Sequence, residues 1–543
     1  MPFPPHPQVA HSVAPQPDPS ESLSALAPLS RPVFRMLWGT WVIANTCMWM
    51  NDVAAAWLMS SLTTTPIWVA LVQTAATLPV FLLGLPSGAL ADILDRRRYF
   101  IATQFWVAGV ALILCLTILL DHVTPAMLLL LTFANGIGLA MRWPVFSAIV
   151  PELVSRAQMP AALALNGVAM NASRIIGPLL AGAIIASLGS AYVFVLNAVL
   201  SVIAGFIIMR WQRVHKPNPL GRERLISAIR VGLQFVTQSA RLRAVLVRIA
   251  LFFFHSTALM ALLPLVARRL HGGDAGTFTL LLASMGTGAI FAVMLLPKLR
   301  QALPLELLVL GGTSLQAAST MVIAFAPNTA VAVPAMFLGG MAWIATANSL
   351  SVSAQLALPD WVRARGMSIY QMAIMGASAL GAAMWGQIAT VSSVQLSLLT
   401  AAASGVLTMW LAQRWVVDRD IEEDLTPSKE LKAPVAKAPP ATGQVLVTID
   451  YHIDPQQDTE FCALMQESRR SRLRQGALKW ELVRDIGDPG HFIEHIVDES
   501  WTDHLRRFDR VTADDVALRE RKLAFHTGDA PPVVSRYVIE STR

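Results

Sequence analysis

Charge is scarce in this chain. Of its 543 residues only 14% are Asp, Glu, Lys or Arg, about half the share of an average soluble protein, while 54% are apolar. The three or four soluble domains that the length would suggest are therefore excluded for most of it. Cysteine is scarce too: Cys47, Cys115 and Cys462 stand far apart, with neither paired nor metal-ligand spacing. No Gly-x-x-x-x-Gly-Lys-Ser/Thr loop occurs, which argues against ATP as a driving force. The apolar body also lacks a His/Cys/carboxylate cluster with metal spacing, so no cofactor and no metal is expected. No basic stretch leads directly into an apolar core, so residues 1–32, rich in proline, read as a disordered leader rather than a signal peptide.

What is present is unevenly distributed. Residues 1–417 carry 24 Lys/Arg against 11 Asp/Glu, whereas residues 418–543 carry 18 against 24. The cations of the body sit in short clusters between apolar stretches. That pattern points to a lipid bilayer as the partner and not to nucleic acid. Apolar segments about 20 residues long, enough to cross a hydrocarbon core, fall near 36–60, 66–90, 100–120, 125–149, 162–187 and 191–210. A second set falls near 244–266, 276–297, 305–326, 329–352, 366–390 and 395–415. The expected body is all-α and polytopic, with twelve spans in two six-helix halves (33–210 and 244–417) joined by a 211–243 connection.

Arg96–Arg98, Arg156, the basic 210–243 stretch, Lys298/Arg300 and Arg363/Arg365 all follow even-numbered spans; Arg268 and Arg269 are the exception. By the positive-inside rule both termini are expected in the cytoplasm of a bacterium, the chain being multi-pass in its inner membrane. The halves echo each other at an offset of 208 residues: Pro151-Glu152-Leu153-Val154 near Arg156, and Pro359-Asp360-Trp361-Val362 before Arg363. Related halves are a common build of secondary transporters, with the substrate site between them.

The second span closes on Gly88-Ala-Leu-Ala-Asp92-Ile-Leu-Asp95-Arg96-Arg97-Arg98. Here the chain resembles the major facilitator superfamily, whose loop between spans two and three carries Gly-x-x-x-Asp and clustered cations. The resemblance implies a gating role for Gly88, Asp92, Asp95, Arg96, Arg97 and Arg98, with Asp92 latching the cytoplasmic side shut. Ile93 and Asp95 depart from the usual pattern. Asp95, Phe34-Arg35, Asn51-Asp52 and Asn171-x-x-Arg174-x-x-Gly177-Pro178 through Gly182 resemble the enterobactin-exporter-like branch, also described as transmembrane secretion effectors.

Ionisable residues inside a span are costly and so are functional candidates. Asp52, Arg142 and Arg174 are the principal ones, and Asn171 shares a helical face with Arg174. Gly177, Pro178 and Gly182 are expected to shape or pack the fifth span. Asp52 is the carboxylate deep in a span, and thus the candidate proton carrier; the arginines stay charged. For each a structural role is the alternative, such as Asp52 neutralising a nearby arginine. His255 reads as a packed residue.

After an expected linker at 418–442 the periodicity changes. A strand at 445–451, a helix at 455–474, a hairpin at 477–498, a helix from Ser500 and a strand at 533–540 give βαββαβ, a small α+β ferredoxin-like order for 443–543. With Trp501 opening the second helix, this part resembles antibiotic-biosynthesis-monooxygenase-like domains, which implies a possible homodimer. Its polar candidates, His452, His491, His495, Asp503, His504 and His526, have no fixed catalytic spacing. No enzyme activity is expected. The reading is therefore a major-facilitator-type transporter exporting a small organic molecule (a siderophore, drug or metabolite) by alternating access, with protons as coupling ion. The alternative is a membrane-anchored enzyme or sensor whose tail carries the activity.

Overall fold

The computed structural model describes residues 26–155, 158–211, 225–270, 273–415 and 443–540, together with 424–428, 430–431 and 433–434. Six long helices form the first half: α1 (Pro32–Leu62), α2 (Pro66–Ile93), α3 (Arg96–Leu119), α4 (Pro125–Leu153), α5 (Met159–Ser187) and α6 (Ser190–Met209). A shorter α7 (Leu225–Gln238) follows. The second half holds α8 (Ala240–Arg269), α9 (Ala275–Ala302), α10 (Leu305–Ala324), α11 (Thr329–Leu356), α12 (Asp360–Val391) and α13 (Val394–Trp415). Among the described residues, eleven of the twelve long helices are apolar enough to cross a bilayer by length and composition. The twelfth, α1, is long enough at 31 residues but carries Arg35, Asn45, Asn51 and Asp52, which lower its hydropathy.

The helix starts follow local chemistry. Pro32, Pro66 and Pro125 open α1, α2 and α4, where a missing N–H costs nothing. Thr124, Ser239, Asp274 and Asn328 cap α4, α8, α9 and α11 by accepting from backbone N–H groups. The structure adds detail at three places. Residues 27–30, assigned to a disordered leader, form a 3₁₀ turn with Ala27 and Pro28 buried, while 1–25 lie outside the described residues. The basic connection contains α7, whose apolar positions Leu225, Ile229, Phe235 and Val236 follow helical spacing. The repeated Pro-acid motif takes unlike settings: α4 continues to Leu153, but the second half breaks at 357–359 and Asp360 opens α12.

The tail is a four-stranded antiparallel sheet in the order β2-β3-β1-β4, from β1 (Gln444–His452), β2 (Lys479–Arg484), β3 (His491–Asp498) and β4 (Val534–Ile539). It carries α14 (Asp458–Arg474), α15 (Trp501–Phe508) and α16 (Ala513–Ala524). The βαββαβ order is present, with the second helical segment split in two. Ser500 caps α15, and Thr512 with Asp515 forms a capping box that starts α16.

The halves meet chiefly along α2 with α12 and α5 with α9, with α8 also touching α2 and α1. From the end bearing the 63–65 turn, Ile67 N donates to Thr390 Oγ1 (2.9 Å) and Thr74 Oγ1 to the Ala379 carbonyl (2.9 Å). Gly386 lies against Ala70, Gly376 against Phe81 and Gly182 against Thr279. Arg268 of α8 donates to Ser60 Oγ (2.9 Å) and lies over Trp57, which stacks on Phe278. The cationic exception in loop charge thus has a place in this seal.

Within the second half, α9 and α11 cross through reciprocal glycines. A Cβ on Gly288 would strike the Phe337 backbone, and one on Gly340 the Met285 backbone. Small residues let helices associate where no hydrophobic force drives them together. Gly340→Val is expected to cost about 1–3 kcal/mol by overpacking, read from SDS-titrated unfolding in mixed micelles. Stability unchanged within about 0.5 kcal/mol would contradict this crossing.

Candidate functional site: a polar midplane and a docked tail

The sequence motif at the α2–α3 junction divides into parts. Gly88 and Asp92 belong to α2, and their surroundings, like those of residue 89, lie outside the described residues. Asp95 is the N-cap of α3, its carboxylate accepting from Arg98 N at 2.8 Å. Arg97 donates to the Met209 carbonyl and so ties the start of α3 to the end of α6. Arg96 and Arg98 sit in the first turn of α3. Asp95 therefore has a local helix-starting role, which the sequence reading did not assign to it.

At the midplane, α5 brings polar groups against both halves. Arg174 lies over Trp49 of α1 (5.5 Å to the ring centroid) and over Trp343 of α11 (4.5 Å), so its guanidinium sits between indoles of opposite halves. Gly177, one turn on, admits the Trp49 Cβ and the α1 backbone, while Pro178 lies inside α5 and Gly182 meets Thr279 across the halves. The side chain of Asn171 lies outside the described residues.

Arg142 of α4 is buried and lies over Trp41 (5.7 Å), which stacks on Phe146 at 3.9 Å. A small cleft joins it to Ala44, Met48, Val107, Leu139, Asn135 and Asn197. Asn197 donates to Asn51 Oδ1 (3.3 Å) and accepts from Ser201 (3.2 Å), linking α1 to α6 beside that cleft. Asp52 is half-buried in α1, about 15 Å from the Leu62 end at 1.5 Å per residue. His255 bonds Ser404 (3.2 Å) and Thr408 (3.1 Å) and packs on Trp385. Sequence reasoning missed both tryptophans flanking Arg174, because they lie far apart in the chain and only folding joins them.

In the tail the ionisable groups serve the fold. Glu494 is buried, accepting from Ser468 and Trp480 (2.8 Å each), Tyr451 (3.3 Å) and Lys522 (3.3 Å), with Arg472 at 3.6 Å. Burial alone would raise its pKa, but Lys522 and then Arg472, with the two closest hydrogen bonds, hold the carboxyl down at about 2. His504 bonds Asp498 (2.8 Å) and Arg536 (3.2 Å), and Asp498 also takes two 2.9 Å bonds from Arg507. Asp503 accepts from Ser500 and Arg506. His452 stacks on His491 at 4.6 Å, and His526 bonds the backbone at both ring nitrogens. His495 lies in β3, half-buried.

The tail docks on the second half. Glu499 accepts from Arg230 and Ser227 of α7 (2.7 Å each), and Gln234 donates to the Ala477 carbonyl at 3.2 Å. Arg510 lies over Trp361 at 4.7 Å, and that indole meets Phe235 edge-on. Trp361 is the second residue of α12, so the tail touches the helix that seals against α2.

Known proteins place this architecture. The body is a major-facilitator-type bundle: a mutant form of the nucleoside transporter NupG superposes with a TM-score of 0.60 at 11% identity, covering 70% of this chain and 98% of that one. The chain belongs to the transmembrane secretion effector family, whose profile matches residues 23–543, the tail included. It is 23% identical over 254 residues to the staphyloferrin A transporter of Staphylococcus aureus, covering 46% of this chain and 63% of that protein. It is 22% identical over 225 residues to macrolide efflux protein A of Enterococcus faecalis, covering 40% and 68%. The chain thus spans less than two thirds of the staphyloferrin relative.

Because the Arg230–Glu499 pair is less than a third exposed, it is expected to contribute about 1 kcal/mol to docking. Glu499→Arg or Arg230→Glu alone should speed hydrogen exchange across 225–238 in the purified full chain, and the double exchange should restore it. Equal exchange in all four proteins would leave the contact without energetic weight.

Proposed function

We propose that the protein is a secondary active transporter that exports a small organic molecule from cytoplasm to the outside by alternating access, coupled to protons. The observation that supports this best is the placement of the contacts between halves. They run from the 63–65 turn, where Ile67 meets Thr390, to Gly84 against Met372. With the Arg-rich end in the cytoplasm, this is a bundle shut on its outer side. The relative named a staphyloferrin A transporter supports a small-molecule cargo, and the one named a macrolide efflux protein supports outward movement. Bacterial inner-membrane residence with both termini cytoplasmic is part of the same reading, as is the enterobactin-exporter-like branch.

Asp52 is the proposed proton carrier. No ion pair or hydrogen bond engages its carboxylate among the described residues, and Arg142 and Arg174 pack on indoles instead. The suggestion that Asp52 merely neutralises an arginine therefore finds no partner there. Asp92 is the proposed latch of the opposite state, and the ferredoxin-like, monooxygenase-like tail is assigned a regulatory or dimerising role rather than catalysis. The weakly covered β4 strand, with Tyr537 and Ile539 exposed, supports dimerisation.

Asp52→Asn tests the coupling. In vesicles loaded with a transported compound, the variant should lose gradient-driven accumulation at least tenfold while retaining downhill exchange. Uphill transport at the native rate would remove Asp52 from the proton path.

A further inference from the structure

Among the described residues, the sandwich around Arg174 leaves hydrogen-bond donors without acceptors. Nε and Nη1 of Arg174 and Nε1 of Trp49 are all buried, and none has an acceptor among the described residues. Buried donors are normally paired, and leaving a charged one unpaired costs several times more than a neutral one. The guanidinium and the Trp49 indole are neighbours, 5.5 Å from Cζ to the ring centroid, and Trp343 covers the guanidinium from the other half. Three such donors and one fixed positive charge thus lie on two neighbouring side chains inside the bundle.

We propose that Arg174 and Trp49 form a subsite for the carboxylate of the transported molecule, which makes the substrate a small organic acid. The assignment rests on the transport reading above and names its substrate class. A carboxylate supplies two oxygens able to take several N–H donors and one negative charge to balance one guanidinium. A phosphate dianion would leave an excess charge in an apolar bundle, which is costly. Trp343 gives the subsite a second consequence. The guanidinium that would take the carboxylate comes from α5, lies on Trp49 of α1 in the same half and is covered by Trp343 of α11 from the other, so occupancy is felt by both. Gly177 serves the subsite by letting Trp49 approach α5; it is a positioning residue.

The experiment is a binding measurement on the purified full chain in detergent, read by quenching of tryptophan fluorescence. The probes are benzoate, succinate and citrate, each beside its neutral amide, with inorganic phosphate as a further arm. At least one acid should bind wild type and its amide should not. Arg174→Gln should weaken that acid about 10- to 100-fold, as expected for a charged hydrogen-bonded contact. Arg174→Lys should recover part of the loss, and Trp49→Phe, which keeps the ring and removes the N–H, should weaken the acid about threefold to tenfold. Thermal unfolding of each variant identifies any that misfolds, and Trp49→Phe then carries the test alone. Acid and amide binding equally, phosphate binding more tightly than every acid, or no acid binding wild type at millimolar concentration would each overturn the assignment. Proton-linked transport in vesicles is measured separately. Its persistence without acid binding refutes only the substrate class, and its absence beside acid binding refutes only the transport reading.

Discussion

The arrangement depends on close contact between the halves, made where glycines of one helix admit side chains of another. In lipid, helices gain no hydrophobic energy from meeting, so their contact must come from close packing. Gly386 against Ala70, Gly376 against Phe81 and Gly182 against Thr279 supply it along α2–α12 and α5–α9. Each is a place where a side chain on one helix would force the other away. Because the seal is built from close fit, two backbone-linked hydrogen bonds and Arg268 set against Ser60 and Trp57, it parts by breaking a small number of contacts. A bundle that must open and close needs that property.

Polar groups are placed accordingly. Charges in the body are few, and those at the midplane contact aromatic faces rather than one another. In the tail the opposite holds: Glu494 gathers Lys522, Arg472, Trp480 and Ser468 into one buried cluster, and its low pKa records how strongly they favour the ion. The tail pairs its buried carboxylates with its own cations, whereas the arginines at the midplane of the body pack on indoles. The tail also reaches α7 and Trp361, at the start of the helix that forms half of the seal.

Much of this was legible in the sequence, for physical reasons. Twelve apolar runs of bilayer length announce twelve long helices, and the tail's alternation announces its strands. The ends were harder, because α4 and α12 extend past the hydrocarbon core into sequence that hydropathy does not mark. Two helices were missed: α7 is short and sits in a basic stretch, and α16 follows α15 after only a few residues, although Thr512-x-x-Asp515 is a capping signal. Asp52, Arg142 and Arg174 stood out as charges in apolar segments, and Gly177 and Gly182 as small residues on one helix. That Trp49 and Trp343 would close on Arg174 was not legible, since contacts between halves have no local signature.

Reciprocal motion of the two ends is the most direct measure of the central claim. Spin labels at Thr64 and Ser393 report the sealed end, in the turns after α1 and before α13, and labels at Leu94 and Leu303 the Arg-rich end. Pulsed dipolar distances are taken in lipid nanodiscs with and without a compound the protein transports. Alternating access about a midplane site predicts that the compound shifts population so that the Thr64–Ser393 distance lengthens while Leu94–Leu303 shortens. Distances that lengthen together, or that ignore a transported compound, would contradict it.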